Sequence, residues 1–267
     1  MIPTISFFCM AVSVVLSVGT PIVLFFVVRK RCGKGILPVL VGGAGFILFA
    51  MVLEQILHAV VLRPNPVTGA TTLTQHPYLY MLYGALAAGV FEETARFLSF
   101  QILKKRCSGF GTALKHGIGH GGTEAVIIGG ISLVSGMVLA AMYNSLGAEG
   151  LAANLGTPVL AQVQAIAATS PAMLLVSGVE RLLALCIHIS LSVVVYYSVY
   201  QPRKLWLFPL AILLHALVDC PAALAQAGVL NSVWAVEGIV LVSMAALAAI
   251  AVLTHKRLEP AAEEVAA

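Results

Sequence analysis

Two adjacent carboxylates and an arginine lie in an otherwise apolar stretch, in the segment Gly89-Val-Phe-Glu-Glu-Thr-Ala-Arg96. A charged side chain in hydrocarbon costs about 2.5 kcal/mol or more, so each such group needs a partner or a watery cavity. Glu92 and Arg96 are four residues apart and therefore stack on one helix face. With Glu93 as a second carboxylate, one negative charge is not balanced by Arg96. The pattern favours a carboxylate placed for chemistry over a buried ion pair that only packs helices.

Other apolar stretches carry ionisable residues at the same spacing of four. His116, His120 and Glu124 follow one another at this interval, and so do His215 and Asp219. Each set therefore forms a polar stripe along one face of a helix. For Glu124 and His120 an intrahelical pair is an equally good interpretation.

Four ionisable groups from four different stretches are expected at one depth. Counting about 1.5 Å per residue from the cytoplasmic end of each predicted helix places Glu92, Glu124, His188 and His215 roughly 15 to 18 Å into the membrane. Carboxylates and neutral imidazoles bind divalent transition metals, and three ligands with an open position suit a catalytic zinc ion. We predict a zinc site with His188, His215 and Glu124 as ligands and Glu92 or Glu93 as the base that activates water.

The remaining residues of these stripes have supporting or rival roles. Arg96, one helical turn beyond the double glutamate, is expected to keep a carboxylate charged and oriented. Asp219 is one turn from His215, where it can orient a ligand or bind the substrate carbonyl. His116 and His120 are rivals for the third ligand position. The glycines of Gly117-Ile-Gly-His-Gly-Gly122 are expected to allow close packing of helices, or alternatively to open a polar path for water from the cytoplasmic side.

The helices that must position these groups are membrane spans. The 267 residues are 60% hydrophobic and 10% charged, with a mean hydropathy of +1.00, which lies far outside the range of soluble globular domains. About 20 apolar residues are needed to cross the hydrocarbon as a helix. The sequence predicts an all-α polytopic membrane protein with seven spans, at about Ile5–Val28, Ile36–Leu62, Leu79–Leu103, Ala113–Tyr143, Pro171–Tyr200, Leu205–Ala225 and Val233–Leu253, and a loop from Asn144 to Ser170 that can hold a short helix.

Basic residues predict how these spans are oriented. Lys and Arg lie mainly in alternate connections and after the last span, and short cytoplasmic loops collect these residues. We therefore expect a multi-pass protein of the cell membrane with its N-terminus outside and its C-terminus in the cytoplasm. The net charge of +4 is then a signal of topology, and no nucleic-acid partner is expected.

The ordered motifs resemble the YhfC family of intramembrane metalloproteases and are similar to the wider group of PrsW-type proteases and CAAX prenyl endopeptidases. The motifs are Glu92-Glu93-Thr-Ala-Arg96, Gly119-His120-Gly-Gly-Thr-Glu124, Glu180-Arg181 leading to His188, and His215-Ala-Leu-Val-Asp219. The resemblance implies that the double glutamate activates water. It also implies a role for Asp219, because the CAAX enzymes place an oxyanion-stabilising asparagine there. The second motif ends in Glu124 where the CAAX group has a histidine, which leaves the third ligand open.

The functional prediction is a zinc-dependent endopeptidase within the lipid bilayer that cleaves a membrane protein or a lipidated peptide. We expect one transmembrane domain over 1–267, with a protease-like core at about 79–225 and a polar tail at 255–267. The alternatives are a proton- or metal-coupled transporter, in which buried Glu, His and Asp are equally natural, and an inactive metal-binding scaffold. The sequence leaves the oligomeric state open.

Overall fold

The computed structural model describes residues 1–64, 71 and 73–263, with side chains as far as residue 259. Within these ranges all regular structure is helical, which confirms the predicted fold class. A short 3₁₀ turn covers Leu73–Gln75. The longer helices are α1 Thr4–Arg31, α2 Leu37–Val61, α3 Pro77–Leu103, α4 Phe110–Leu155, α5 Thr157–Ala168, α6 Pro171–Tyr200, α7 Leu207–Gln226 and α8 Val233–Glu263.

Six helices in the described part of the chain are long and apolar enough to cross a membrane, namely α1, α2, α4, α6, α7 and α8. The chain is therefore a multi-pass membrane protein. Helix α3 has 27 residues, which suffices in length, but it contains Glu92, Glu93 and Arg96, and charged residues lower its hydropathy. The predicted count of seven spans depends on α3, and it stays a prediction together with the predicted orientation.

The predicted loop from Asn144 to Ser170 is wrong over most of its length. Helix α4 continues to Leu155, and α5 covers Thr157–Ala168, which is the short helix expected there. The segment is rich in alanine, and alanine has the highest helix propensity of all residues. Within this segment the backbone leaves helical geometry at Gly147, with φ of 72° and ψ of 179°, a conformation that suits glycine.

The C-terminal tail predicted at 255–267 begins as a helix. Helix α8 continues as far as Glu263, and the last four residues of the predicted tail lie outside the described residues. The first residues of this tail contact α6: the Tyr197 hydroxyl contacts the Glu259 carboxylate and lies 2.7 Å from His255 Nδ1. The ring of Phe110 stacks on His255 with 3.8 Å between centroids.

The chain forms two compact units. The first consists of Met1–Leu24 and Glu124–Ala184, and the second of Phe25–Thr123 and the chain from Leu185 onward. In the first unit, Met10 packs with Leu174, and the buried Ser13 hydroxyl donates to the Leu174 carbonyl at 2.7 Å. The core of the second unit is built mainly from α3, α6 and α7, and its buried members include Phe100, Leu103, Leu191, Tyr197 and Leu207.

Glycines in the second unit let helices approach each other closely. A Cβ on Gly89 would lie 2.7 Å from the Ile212 carbonyl oxygen of α7, and a Cβ on Gly121 would lie 2.7 Å from His188 Cβ. Small residues allow such contacts between helix backbones in membranes. These glycines therefore allow the close approach of α3 to α7 and of α4 to α6.

We expect Gly89→Ala to destabilise the second unit. The added methyl group would collide with the α7 backbone, and such overpacking costs about 1 to 3 kcal/mol. Thermal unfolding of the purified protein in detergent should show a midpoint several degrees below that of the wild type. Gly238→Ala is the matched control, because no heavy atom lies within 4 Å of a Cβ built there. Equal midpoints for the two variants would contradict the close α3–α7 contact.

Candidate metal centre

The α3 residues Glu92, Glu93 and Arg96 form a buried charged cluster in the second unit. Glu93 and Arg96 are 0% exposed and Glu92 is 8% exposed. One guanidinium nitrogen of Arg96 donates to Glu93 Oε1, and the other lies 3.6 Å from Glu92 Oε2. Both carboxylates therefore face the same cation, which offsets part of the cost of burying them.

Two histidines from other helices approach Glu92. Glu92 Oε2 lies 2.9 Å from His120 Nε2 and 3.7 Å from His188 Nδ1. The three ligand atoms all lie within 4.8 Å of one another. Ligand atoms at zinc distances in a tetrahedron are about 3.4 Å apart, so side chains with these separations fit a divalent metal with small adjustments.

The donor chemistry of His188 also fits a metal. An Arg96 nitrogen contacts His188 Nδ1, and a guanidinium can only donate hydrogen bonds. His188 Nδ1 is therefore the acceptor and carries the lone pair that a metal ligand needs. A metal ion would compete with Arg96 for that lone pair, and Arg96 would still keep its partner Glu93.

His120 lies in the interior of the second unit with its Nε2 directed towards Glu92. His120 is 0% exposed, and its Nδ1 has no hydrogen-bond partner among the described residues. The edge of its ring meets the ring of Phe46 at 5.2 Å between centroids. Phe46 therefore packs against the imidazole, whose Nε2 faces Glu92. Phe46 was not foreseen from the sequence, since an aromatic residue in an apolar span gives no signal.

Glu93 belongs to a second hydrogen-bonded set that includes two predicted site residues. His215 Nδ1 lies 2.6 Å from Glu93 Oε1, and His215 Nε2 lies 3.4 Å from Asp219 Oδ2. Both ring nitrogens of His215 therefore have carboxylate partners. The other oxygen of Glu93, Oε2, is buried without a hydrogen-bond partner among the described residues.

The rivals for the third ligand position have different surroundings. His116 is buried one turn from His120, with its Nδ1 3.2 Å from the Ser192 hydroxyl. Glu124 belongs to the first unit, where it accepts a hydrogen bond from Arg181 at 2.8 Å, and Arg181 also pairs with Glu180. Of the three rivals, His120 is the one whose nitrogen lies in the group with Glu92 and His188.

Helix α2 contributes the polar row of Glu54 and His58, whose spacing of four predicts a second polar stripe near the site. Glu54 lies 3.3 Å from His58 Nε2, and His58 Nδ1 shares a hydrogen bond of 2.7 Å with the hydroxyl of Tyr83 on α3. The i, i+4 spacing of Glu54 and His58 was visible in the sequence, whereas no pattern pointed to Tyr83. The row links α2 to α3 on the same unit as the charged cluster.

Comparisons with known proteins identify the family to which the chain is similar. The family described as YhfC intramembrane metalloprotease matches residues 13–240. The uncharacterized membrane protein YhfC of Bacillus subtilis (strain 168) is 36% identical over 239 residues, which cover 89% of this chain and 91% of the relative. No solved structure matches the chain significantly.

Proposed function

Because the chain belongs to the YhfC intramembrane metalloprotease family, we propose that it is a zinc-dependent endopeptidase that hydrolyses a peptide bond of a membrane-embedded or membrane-associated polypeptide. The observation that supports this proposal most is the buried group of Glu92, His120 and His188. It lies beside a second buried carboxylate, Glu93, which is held by Arg96 and His215. Glu92 can thus bind the metal while Glu93 accepts and donates protons.

In this proposal Glu92, His120 and His188 hold the metal ion. Three protein ligands leave one position of a tetrahedral zinc ion for water or substrate. A bound zinc ion would supply a Lewis acid for the attack of water on a carbonyl group. This set replaces two of the ligands first predicted, because Glu124 pairs with Arg181 and His215 with Glu93 and Asp219.

Glu93 is the proposed general base. Its Oε1 is anchored by Arg96 and His215, which fixes the direction of the carboxylate. Its Oε2 has no hydrogen-bond partner among the described residues, so it can accept a proton from the attacking water and later donate it to the leaving amine. His215, held in turn by Asp219, is a positioning residue for Glu93.

Metal removal should abolish the proposed activity reversibly. We expect purified protein in proteoliposomes to cleave members of a panel of single-span polypeptides. A zinc chelator should abolish this cleavage. Added zinc should restore it, whereas magnesium should not, because magnesium prefers oxygen ligands. The same vesicles test the transporter alternative in a flux assay for protons and zinc. Flux without cleavage would contradict the peptidase proposal and favour transport.

A further inference from the structure

A cavity of about 340 Å³ lies between α2, α3 and α7 in the second unit. Asp219 lines it, and Asp219 contacts His215, which contacts Glu93. Direct side-chain contacts therefore connect the wall of the cavity to the proposed base. It extends along α3 between Tyr80 and Ala88 and along α7 between Asp219 and Gln226, which corresponds to about 10 to 12 Å along the helix axes.

The lining of this cavity suits a polypeptide backbone. Five of its eleven lining residues carry hydrogen-bonding side chains, and five others are glycine or alanine. An unwound backbone in hydrocarbon leaves N–H and C=O groups unsatisfied at several kcal/mol each, so polar walls would stabilise it. Small residues let a backbone come close. An acyl chain has no groups that could form hydrogen bonds with the polar lining. The polar lining residues are His58, Tyr80, Tyr83, Asp219 and Gln226.

The polar groups are arranged from one end of the cavity to the other. The Tyr80 hydroxyl donates to Gln226 Oε1 at 3.2 Å, which joins the first turns of α3 to the last turn of α7. The hydrogen bond between Tyr83 and His58 crosses from α3 to α2. Because α3 begins at Pro77 and α7 ends at Gln226, the cavity reaches the ends of both helices. The predicted topology places these ends on the extracytoplasmic side.

We propose that this cavity is the route by which water and an unwound segment of the substrate polypeptide reach the metal centre from the extracytoplasmic face. The part that concerns the polypeptide rests on the proposed peptidase function. The part that concerns water does not, because a hydrated cavity can be detected in a protein that cleaves nothing. The two parts therefore have separate tests.

Water access is tested by cysteine labelling. The five native cysteines are first replaced by serine. A single cysteine is then introduced as Ala88→Cys, in the cavity wall, or as Val90→Cys. Val90 is on the same helix, is 45% exposed and lies outside the cavity lining. A charged, membrane-impermeant methanethiosulfonate is added to right-side-out vesicles. Only a hydrated thiol ionises readily, so we expect Ala88→Cys to react at least about tenfold faster than Val90→Cys.

Reaction of Ala88→Cys at the Val90→Cys rate, or only when the reagent is inside the vesicles, would overturn the proposed route.

Substrate access is tested with Ala88→Trp, which fills the cavity, against Val90→Trp. We expect Ala88→Trp to lower cleavage about 100-fold with unchanged zinc content, whereas Val90→Trp cleaves normally. Normal cleavage by Ala88→Trp would refute substrate passage even if labelling shows water. Absence of cleavage in the wild type would instead count against the peptidase function, and the labelling result would still stand.

Discussion

Glu93→Gln is expected to lower peptide cleavage by about 10²- to 10⁴-fold, the usual contribution of a general base, and to leave one zinc ion per chain. Glutamine keeps the shape of the side chain and can still contact Arg96 and His215 through its oxygen. It cannot take a proton from water at the position of Oε2. The variant therefore separates proton transfer from metal binding, and the measurement is the initial cleavage rate beside the zinc content of the same preparation.

Two further variants make this result specific. Glu259→Gln changes another hydrogen-bonded carboxylate of the second unit, which contacts Tyr197 and is not part of the metal centre, and it should cleave at the wild-type rate. Glu92→Gln should lose zinc together with cleavage, because Glu92 is a proposed ligand. A Glu93→Gln protein that cleaves like the wild type, with Glu92→Gln inactive but fully loaded with zinc, would show that Glu92 is the base.

Hydropathy alone predicted most of the helices. The fifth predicted span, Pro171–Tyr200, coincides with α6, and the first, Ile5–Val28, lies within α1. The stretch from Asn144 was predicted as a loop because its alanines and glycines lack the large apolar side chains that mark a span. Such a segment can still be helical, since helix formation depends on propensity and packing as well as on hydropathy. The two compact units were not visible in the sequence, because they depend on contacts between distant segments.

Equal depth along the membrane predicted that ionisable side chains of several helices meet, but it could not choose among residues stacked on one helix face. The contact of His188 with Glu92 and that of His215 with Glu93 show that side chains of α3, α6 and α7 do meet. Residues four apart on a helix differ by about 6 Å in depth, which exceeds the accuracy with which helix ends can be placed from sequence. Choosing between His120 and Glu124 needs the actual height of α4, which close glycine packing determines.

Loss of zinc from single ligand variants is the second large effect that we expect. Removing an outer partner of a metal ligand typically costs about 10- to 100-fold in affinity, so removing a ligand itself should cost more. We expect His120→Ala and His188→Ala to weaken zinc binding by more than about 100-fold. His120→Gln provides a variant of similar size in case the alanine variant folds poorly, and thermal unfolding verifies the fold of each protein.

His116→Ala is the matched control for His120→Ala. Both histidines are fully buried on α4 and one turn apart, but His116 binds the Ser192 hydroxyl and lies outside the group around Glu92. Glu124→Gln tests the ligand first predicted from the sequence, whose described hydrogen bond is with Arg181. Both control variants should keep their zinc.

The most direct test of the metal centre is therefore the zinc bound per chain, measured by elemental analysis after competition with a chelator of known affinity. We expect about one zinc ion in the wild type, as a single three-ligand site requires, and the same amount in His116→Ala and Glu124→Gln. We expect almost none in Glu92→Gln, His120→Ala and His188→Ala. Full zinc in those three variants, with loss in His116→Ala or Glu124→Gln, would contradict a site made by Glu92, His120 and His188.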